Sequence, residues 1–361
     1  HFDSLTEPLA NGNRAPEAKI TRSSMYSSVT NSAYSDLYYD VLNTPIRINN
    51  RIALLTSDNP FMLHLLGVRY IETEKDHIPA GNASDSSAKD TVVAENKNVL
   101  PNVYLHRIQS LKEFDRSINR TVGSDFPQTI IENTSTDTDS DVYLPGKFIT
   151  PFAPKLSADA NFPIFDYQKD ADKYDIISKC QQSLTFYVEN TGFGNILLLS
   201  FQVDNKTIDP VVIDINNIRN KLSGLFAPYP NGNNTFHYQF SADSDSGMTK
   251  LKVTFPKGHF TVSNVQWHLC NKHIFDDENT ITKAAVTAEP NAAPSFQARL
   301  FFGSIHAESN GVLASAIPRQ NGLELYIDGR RTDIIRVNKA FAGAHIEKGT
   351  HKIEFRFLSE Q

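Results

Sequence analysis

From about residue 143 to the C-terminus, apolar and polar residues alternate along the chain with a period of two. The clearest runs are residues 184–189, 236–240, 251–255 and 265–269. Such alternation is typical of antiparallel strands that bury one face and expose the other. Because turns rich in Gly, Pro and Asn separate the runs, the pattern favours an antiparallel, jelly-roll-like β-sandwich over a parallel sheet. We expect residues 184–189 to pair with the apolar run 196–203 across the turn between them.

The alternation resumes after a Pro-containing loop at residues 276–295. Strand-like runs then follow at residues 297–305, 312–317, 323–327, 331–337 and 351–357. Asp328 and Gly329 separate two of these runs, and this dipeptide tolerates the positive φ angles of a tight hairpin turn. The C-terminal part is therefore predicted to be a hairpin-rich β-sandwich, or a set of strands added to the first sandwich.

The first third of the chain has a mixed pattern. Apolar residues recur at helical spacing over residues 32–42, which predicts a short amphipathic helix. Asn59 followed by Pro60 is a typical start for a second helix, and Gly67 is a typical stop. The further predicted elements are strands at residues 68–71 and 91–93, a helix at 105–114 and a linker at 133–141.

These patterns together predict an α+β protein that is mostly β. Its three predicted parts are a mixed α/β domain at residues 1–132, an antiparallel β-sandwich domain at 143–275 and a C-terminal β domain at 295–361. The third part could also pack with the preceding sandwich.

Composition excludes several classes of protein. The chain has 361 residues, a net charge of -6 and 40% hydrophobic residues, which is typical of a multidomain globular protein and not of a disordered one. The acidic balance, without a long basic run, argues against nucleic acid or an anionic membrane surface as the main partner. The longest aliphatic run, Ile196 to Leu199, is far shorter than the roughly 20 residues of a membrane-spanning helix. Because the chain starts at His1 rather than Met, we expect it to have been excised from a longer precursor.

Signatures of catalysis and of cofactor binding are missing from the sequence. It contains no nucleophile elbow, zinc-protease motif, Walker loop or dinucleotide fingerprint, so we predict no catalytic residue, no cofactor and no metal. Residues 136–141 and 243–247 resemble calcium loops but lack the Glu at the twelfth position. A pair of carboxylates acting as a glycosidase dyad stays open, since only the fold can bring such a pair together.

Aromatic residues offer a candidate ligand site. Tyr229, Tyr238 and Trp267 lie on or near the predicted sandwich strands, where an exposed ring can stack on the C–H face of a sugar. The alternative for each is core packing, and the register of Trp267 with Val265 and Leu269 favours it.

The two cysteines, Cys180 and Cys270, are either one disulfide between neighbouring strands or two buried thiols.

Several separated segments resemble the YfhO-like bacterial membrane proteins. The N-terminal matches are a Ser-rich stretch at Ser23 to Asn31, the run Leu63 to Ile71, which is similar to the family's LLGVKYI element, and Glu95 to Pro101, which is similar to ENKNALP. The C-terminal matches are Tyr326, Asp328, Gly329, Asn338, Ala340, Phe341, Gly343, Lys348, Gly349, His351, Ile353, Glu354 and Phe355. Leu323 departs from the pattern, because the family often has Trp there.

This resemblance implies a multi-pass parent of the GT-C glycosyltransferase type, anchored in the membrane of a Gram-positive bacterium. Such a parent is expected to transfer sugar from a polyprenyl-phosphate donor to lipoteichoic acid or another cell-envelope polymer. The chain would be its extracytoplasmic domain, in contact with the parent's own membrane helices and with envelope polysaccharide or teichoic acid. It would position the acceptor or support the assembly, without catalysis of its own. The alternatives are a stand-alone secreted carbohydrate-binding module or adhesin and, third, a secreted hydrolase.

Overall fold

The fold is that of a computed structural model. It describes residues 2–6, 25–26, 31–38, 53–54, 58–84, 90–110, 133–136, 149–158, 166–170, 173–189, 191–228, 230–242, 247–275, 282–283, 285–286 and 297–358. Over these residues the protein is mostly β, with several largely antiparallel sheets, as the sequence predicts.

Two short helices lie in the N-terminal part: α1 (Ser32–Asp36) and α2 (Pro60–Leu65). The helices predicted at residues 32–42 and after Asn59 therefore form, although α1 is shorter than the predicted range, and residues 39–42 of that range lie outside the described part. The Asn59 side chain caps α2 by accepting hydrogen bonds from two backbone N–H groups of its first turn. Gly67 follows the helix with a φ of 65°, a conformation that favours glycine.

Strands are numbered in chain order over the described residues. They are β1 (Phe2–Ser4), β2 (Met25–Tyr26), β3 (Ala53–Leu54), β4 (Tyr70–Glu74), β5 (Thr91–Glu95), β6 (Val103–Leu105), β7 (Arg107–Ser110), β8 (Asn133–Thr136), β9 (Ile149–Pro151), β10 (Leu156–Ala158), β11 (Asp166–Asp170), β12 (Lys173–Ser178), β13 (Gln182–Glu189), β14 (Ile196–Asn205), β15 (Val211–Ile215), β16 (Ile218–Leu222), β17 (Thr235–Ser241), β18 (Met248–Phe255), β19 (Gly258–Cys270), β20 (Thr282–Lys283), β21 (Ala285–Val286), β22 (Gln297–Ala307), β23 (Gly311–Pro318), β24 (Leu323–Ile327), β25 (Arg330–Thr332), β26 (Ile335–Val337), β27 (Phe341–Ile346) and β28 (Gly349–Leu358).

The first sandwich consists of two sheets formed by β9 to β19. One sheet has the strand order β10-β13-β18-β15-β16; the other has the order β11-β12-β19-β14-β17, with β9 also paired to β19. Alternate residues of both sheets, such as Val188 on β13 and Leu199 on β14, form one hydrophobic core between them. This is the arrangement that the period of two predicts.

The predicted pairing of residues 184–189 with 196–203 is wrong. β13 pairs with β10 and β18, whereas β14 pairs with β17 and β19, so the turn between them crosses from one sheet to the other. The physical reason is that β14 is buried on both faces: Leu197 packs in the sandwich core and Leu198 packs on the other side with Phe61 of α2. A strand covered on both faces lies in the interior of a sheet.

The second sandwich joins sheets of strand order β20-β6-β23-β27-β26-β8-β7 and β21-β22-β28-β24-β25. Asp328 and Gly329 have φ angles of 53° and 78°, and they connect β24 to β25 as the predicted hairpin turn. The predicted last strand is β28, and its Ile353 and Phe355 are fully buried in the core of this sandwich.

Residues from the first third complete the second sandwich. β6 pairs with β23, and β7 runs parallel to β8, which pairs with β26. The helix predicted at 105–114 is therefore wrong as far as Ser110, and the linker predicted at 133–141 is wrong as far as Thr136; the other residues of both ranges lie outside the described part. Local pattern failed here because the strand partners are distant in sequence.

One face of the seven-stranded sheet forms the core of the second sandwich, and α1 and α2 cover its other face. Leu37 and Met62 pack there against Val312 and Phe341 in one cluster. The three domain boundaries remain a prediction, but residues 1–132 and 295–361 share both a sheet and a core.

Candidate polymer-binding face

The structure describes two of the three predicted sugar-stacking residues, Tyr238 and Trp267. Tyr238 and Trp267 flank Leu199 on adjacent strands, and all three face the core of the first sandwich. Tyr238 is fully buried; its hydroxyl donates a hydrogen bond to the Ile213 carbonyl, and burial raises its pKa well above the usual value. A sugar cannot reach that ring. Tyr229 lies outside the described residues.

Trp267 is half-buried at an apolar groove between the two sheets of the first sandwich. The groove has a volume of about 510 Å³ and is lined almost entirely by aliphatic and aromatic side chains, including Leu156, Phe186 and Val265. Such a lining lacks the polar groups that fix a sugar in place. A role for Trp267 in sugar binding therefore stays a prediction.

Cys180 and Cys270 are both free thiols, which leaves the second of the two alternatives, except that Cys180 is exposed and only Cys270 is buried. Cys180 lies two residues after Ser178, and Ser178 pairs with Gly258 at the start of β19. Cys270 is the last residue of the same strand. Thirteen residues of extended chain separate the ends of β19 by roughly 40 Å. A disulfide requires Cα atoms within about 7 Å, which this geometry excludes. Burial raises the pKa of the Cys270 thiol to about 12, so it is unreactive.

A basic face lies on the outer side of the sheet formed by β13, β18, β15 and β16. Leu251 and Val253 of β18 point into the core, so Lys250 and Lys252 point outward. Across the sheet, the outward side chains of β16 are Arg219 and Lys221. We call these four cationic residues the basic face; Arg219, Lys250 and Lys252 are exposed, and Lys221 is half-buried.

Neighbouring outward positions on β13 carry hydroxyl groups. Ser183 pairs with Thr254, Thr185 with Lys252, and Tyr187 with Lys250. The acidic side chains facing outward on these four strands are Asp214 and Glu189, and Glu189 forms an ion pair with Lys155 at 2.9 Å. The face is therefore net positive, although the whole chain has a net charge of -6.

A polar recess of about 420 Å³ opens on this face. Arg219 and Lys252 line it together with Asp214, whose carboxylate lies 3.5 Å from the Arg219 Nε. Gln181, Asn217 and Thr254 also line the recess. Cationic and amide side chains are groups that recognise a phosphorylated or acidic saccharide.

Asn216 fixes the geometry of the recess. Asn216 and Asn217 form the turn between β15 and β16 with φ angles of 50° and 68°, which Asn tolerates better than most residues. The Asn216 side chain donates to the Lys250 carbonyl at 2.9 Å and accepts from the Lys252 N–H at 2.7 Å. The hairpin that carries Arg219 is thereby clamped to the strand that carries both lysines.

Sequence reasoning missed the basic face. The alternation of Lys250 and Lys252 with Leu251 and Val253 was visible, and it does place both lysines on one face. Only the sheet order shows that Arg219 and Lys221, some thirty residues away in the chain, lie on the same face.

Neither a metal centre nor a membrane-spanning helix is present in the described part of the chain. No three His, Cys, Asp or Glu side chains come together there as a metal-binding group. No helix there is long and apolar enough to cross a bilayer.

Comparison with known families identifies the chain. The model of the family described as "Bacterial membrane protein YfhO" matches residues 20–360, which is nearly the full length. The chain belongs to the YfhO family. None of the curated proteins matches it. The YfhO match spans both sandwiches and all the segments that resemble the family in sequence, and it therefore confirms that resemblance.

Proposed function

We propose that this chain is the extracytoplasmic part of a YfhO-family membrane protein and that it holds an anionic cell-envelope polymer, such as a teichoic acid, on its basic face. The polymer would be the acceptor of a sugar that the membrane-embedded part of the parent transfers. The chain itself would bind and position the polymer without turning it over.

The observation that carries this proposal is the basic face in an acidic protein. Lys252 and Arg219 are exposed and line a polar recess, and the exposed Lys250 lies on the same face of β18. Asp214 offsets the charge of Arg219 at 3.5 Å, and Lys250 and Lys252 lie two positions apart on the same face of β18, so a bound anion would balance the positive charge that remains. A polymer with repeating phosphodiesters would supply that anion at several positions along the sheet.

The proposal is tested by measuring the affinity of the chain for poly(glycerol phosphate) by calorimetry. The triple variant Arg219→Gln/Lys250→Gln/Lys252→Gln removes three exposed contacts, and we expect it to weaken binding about tenfold, since each exposed ion contact contributes a few tenths to 1 kcal/mol. Binding by the unaltered chain should weaken as salt concentration rises.

The matched control is Lys97→Gln/Arg330→Gln/Lys348→Gln. These three residues are also exposed but lie away from the basic face, and their loss changes the net charge by the same amount. We expect this variant to bind the polymer like the unaltered chain, and we expect no binding to a neutral glucan. Equal loss of affinity in both triple variants, or no measurable binding at all, would contradict the proposal.

A further inference from the structure

Three large apolar side chains project from one end of the first sandwich. Ile208 in the β14–β15 loop is 72% exposed, and Leu225 and Phe226 in the β16–β17 loop are 45% and 92% exposed. We call these three residues the apolar tip. A lone exposed apolar residue is ordinary, but three of them on two adjoining loops form a patch that water solvates poorly.

The two loops are joined to each other. The Leu225 N–H donates to the Thr207 carbonyl at 2.9 Å. Gly224 lies against the Ile208 backbone so closely that a Cβ at this position would overlap the Ile208 carbonyl oxygen. Only glycine permits this approach, which brings Ile208 next to Leu225 and Phe226.

The amide side chains of Asn205 and Asn231 hold the loops in place. Asn205 is 6% exposed; its Nδ2 donates to the carbonyls of Asp209 at 2.8 Å and Ser223 at 3.2 Å, one on each loop. Its Oδ1 accepts from the Thr207 N–H at 2.8 Å. Asn231 accepts from the Ser223 N–H at 3.0 Å. The tip is therefore built on a fixed base.

The backbone of Phe226 is strained. Its φ is 65°, a left-handed conformation that is unfavourable for an aromatic L-residue. Glycine or asparagine would adopt this backbone conformation with less strain. A strained backbone that exposes a phenylalanine almost completely indicates that the ring has a use outside the fold.

Lysines surround the tip. Among the described residues, the loops at this end of the sandwich are 179–181, 206–210, 223–228 with 230–234, and 256–257, and they contain Lys179, Lys206 and Lys257 against Asp209. Lys206 also pairs with Asp204 at the end of β14. With Asp204 counted as well as Asp209, the three lysines still leave the described loops around the apolar tip with a net positive charge, although the whole chain is acidic.

We propose that the apolar tip inserts into the interface of a lipid bilayer with anionic headgroups. Ile208, Leu225 and Phe226 would enter the boundary between headgroups and acyl chains, and the surrounding lysines would face the lipid phosphates. The lysines around the apolar tip favour an anionic bilayer over an apolar protein surface as the partner. The family match, whose description is that of a membrane protein, is consistent with a bilayer close to this chain.

The insertion is tested on the full chain with vesicles of phosphatidylglycerol and phosphatidylcholine in equal parts. Phe226→Trp places a fluorophore at the tip, and Phe193→Trp places one in the β13–β14 loop at the opposite end of β14, where Phe193 is 59% exposed. We expect vesicles, and brominated lipids in particular, to shift the emission to the blue and quench it in the Phe226→Trp variant only. No change in that variant, or the same change in both, would overturn the proposal.

A second variant removes the ring without endangering the fold. Phe226→Gly suits the left-handed backbone, so the loop should keep its conformation. We expect it to reduce co-sedimentation with the vesicles about tenfold or more, as loss of one buried aromatic side chain requires, whereas Phe193→Gly should have no effect. Unchanged co-sedimentation of Phe226→Gly would overturn the proposal. Because the vesicle assay contains no polymer and the polymer assay contains no lipid, the two proposals fail separately.

Discussion

At the scale of single residues, asparagine and glycine determine where the chain turns. Asn59 and the Asp328–Gly329 pair were readable from the sequence because cap and turn chemistry is local. The roles of Asn205 and Asn216 were not readable, because each bonds to strands or loops that only the fold brings close. No pattern in the sequence marks a polar residue whose partners are brought close only by the fold.

Two buried histidines make stability dependent on pH. Burial lowers the pKa of His64 and of His237 from 6.5 to about 4 in each case. Between these values the unfolded chain binds more protons than the folded one, so the stability present above pH 6.5 is lost as the pH falls towards 4. The shifts correspond to roughly 3 kcal/mol for each histidine.

We therefore expect the free energy of unfolding, measured with urea, to decrease on acidification from pH 6.5 to 4. The double variant His64→Gln/His237→Gln should show a smaller decrease over the same range. If the double variant retains the full slope of the unaltered chain, the histidines are not its cause.

At the scale of elements, periodicity predicted strands well and strand partners poorly. Strands such as β18 and β28 lie where the period of two predicts them, because one face of each strand is more buried than the other. β14 was assigned to the wrong partner because its continuous apolar run looks the same whether it forms a hairpin or crosses between two sheets. The strand β7 was mistaken for part of a helix because its pairing with β8 is remote in sequence.

The position of β14 between two cores gives a direct test of this account. Leu197 and Leu198 are both fully buried but face opposite sides. We expect Leu197→Ala and Leu198→Ala each to lower the free energy of unfolding by about 2–5 kcal/mol, since each leaves a cavity. Val265→Ala, at an exposed position, should change it far less. A neutral Leu198→Ala would mean that the outer side of β14 is not covered.

At the scale of the whole molecule, the two ends of the chain form one folded unit. Val312 and Phe341 pack against Leu37 and Met62, and β6 completes the sheet that contains β23. The boundary at residue 132 stays a prediction, and the pattern along the chain does not show that β6 pairs with a strand as late as β23.

The sheet and core shared by the two ends of the chain predict whether fragments of the chain fold. A fragment of residues 295–361 lacks β6 to β8 and the helices that cover Phe341, so we expect it to stay unfolded, with poor dispersion in its NMR spectrum. Addition of a separate fragment of residues 1–142 should restore dispersion. A folded spectrum for residues 295–361 alone would show that the shared core is dispensable.

The central claim concerns the basic face, and amine labelling with and without poly(glycerol phosphate) measures it most directly. Lys250 and Lys252 should react more slowly when polymer is bound, while the equally exposed Lys97 and Lys348 keep their rates and act as internal controls. Protection confined to Lys250 and Lys252 is the result we predict. Uniform protection of all four lysines, or protection of Lys97 and Lys348 alone, would contradict the claim.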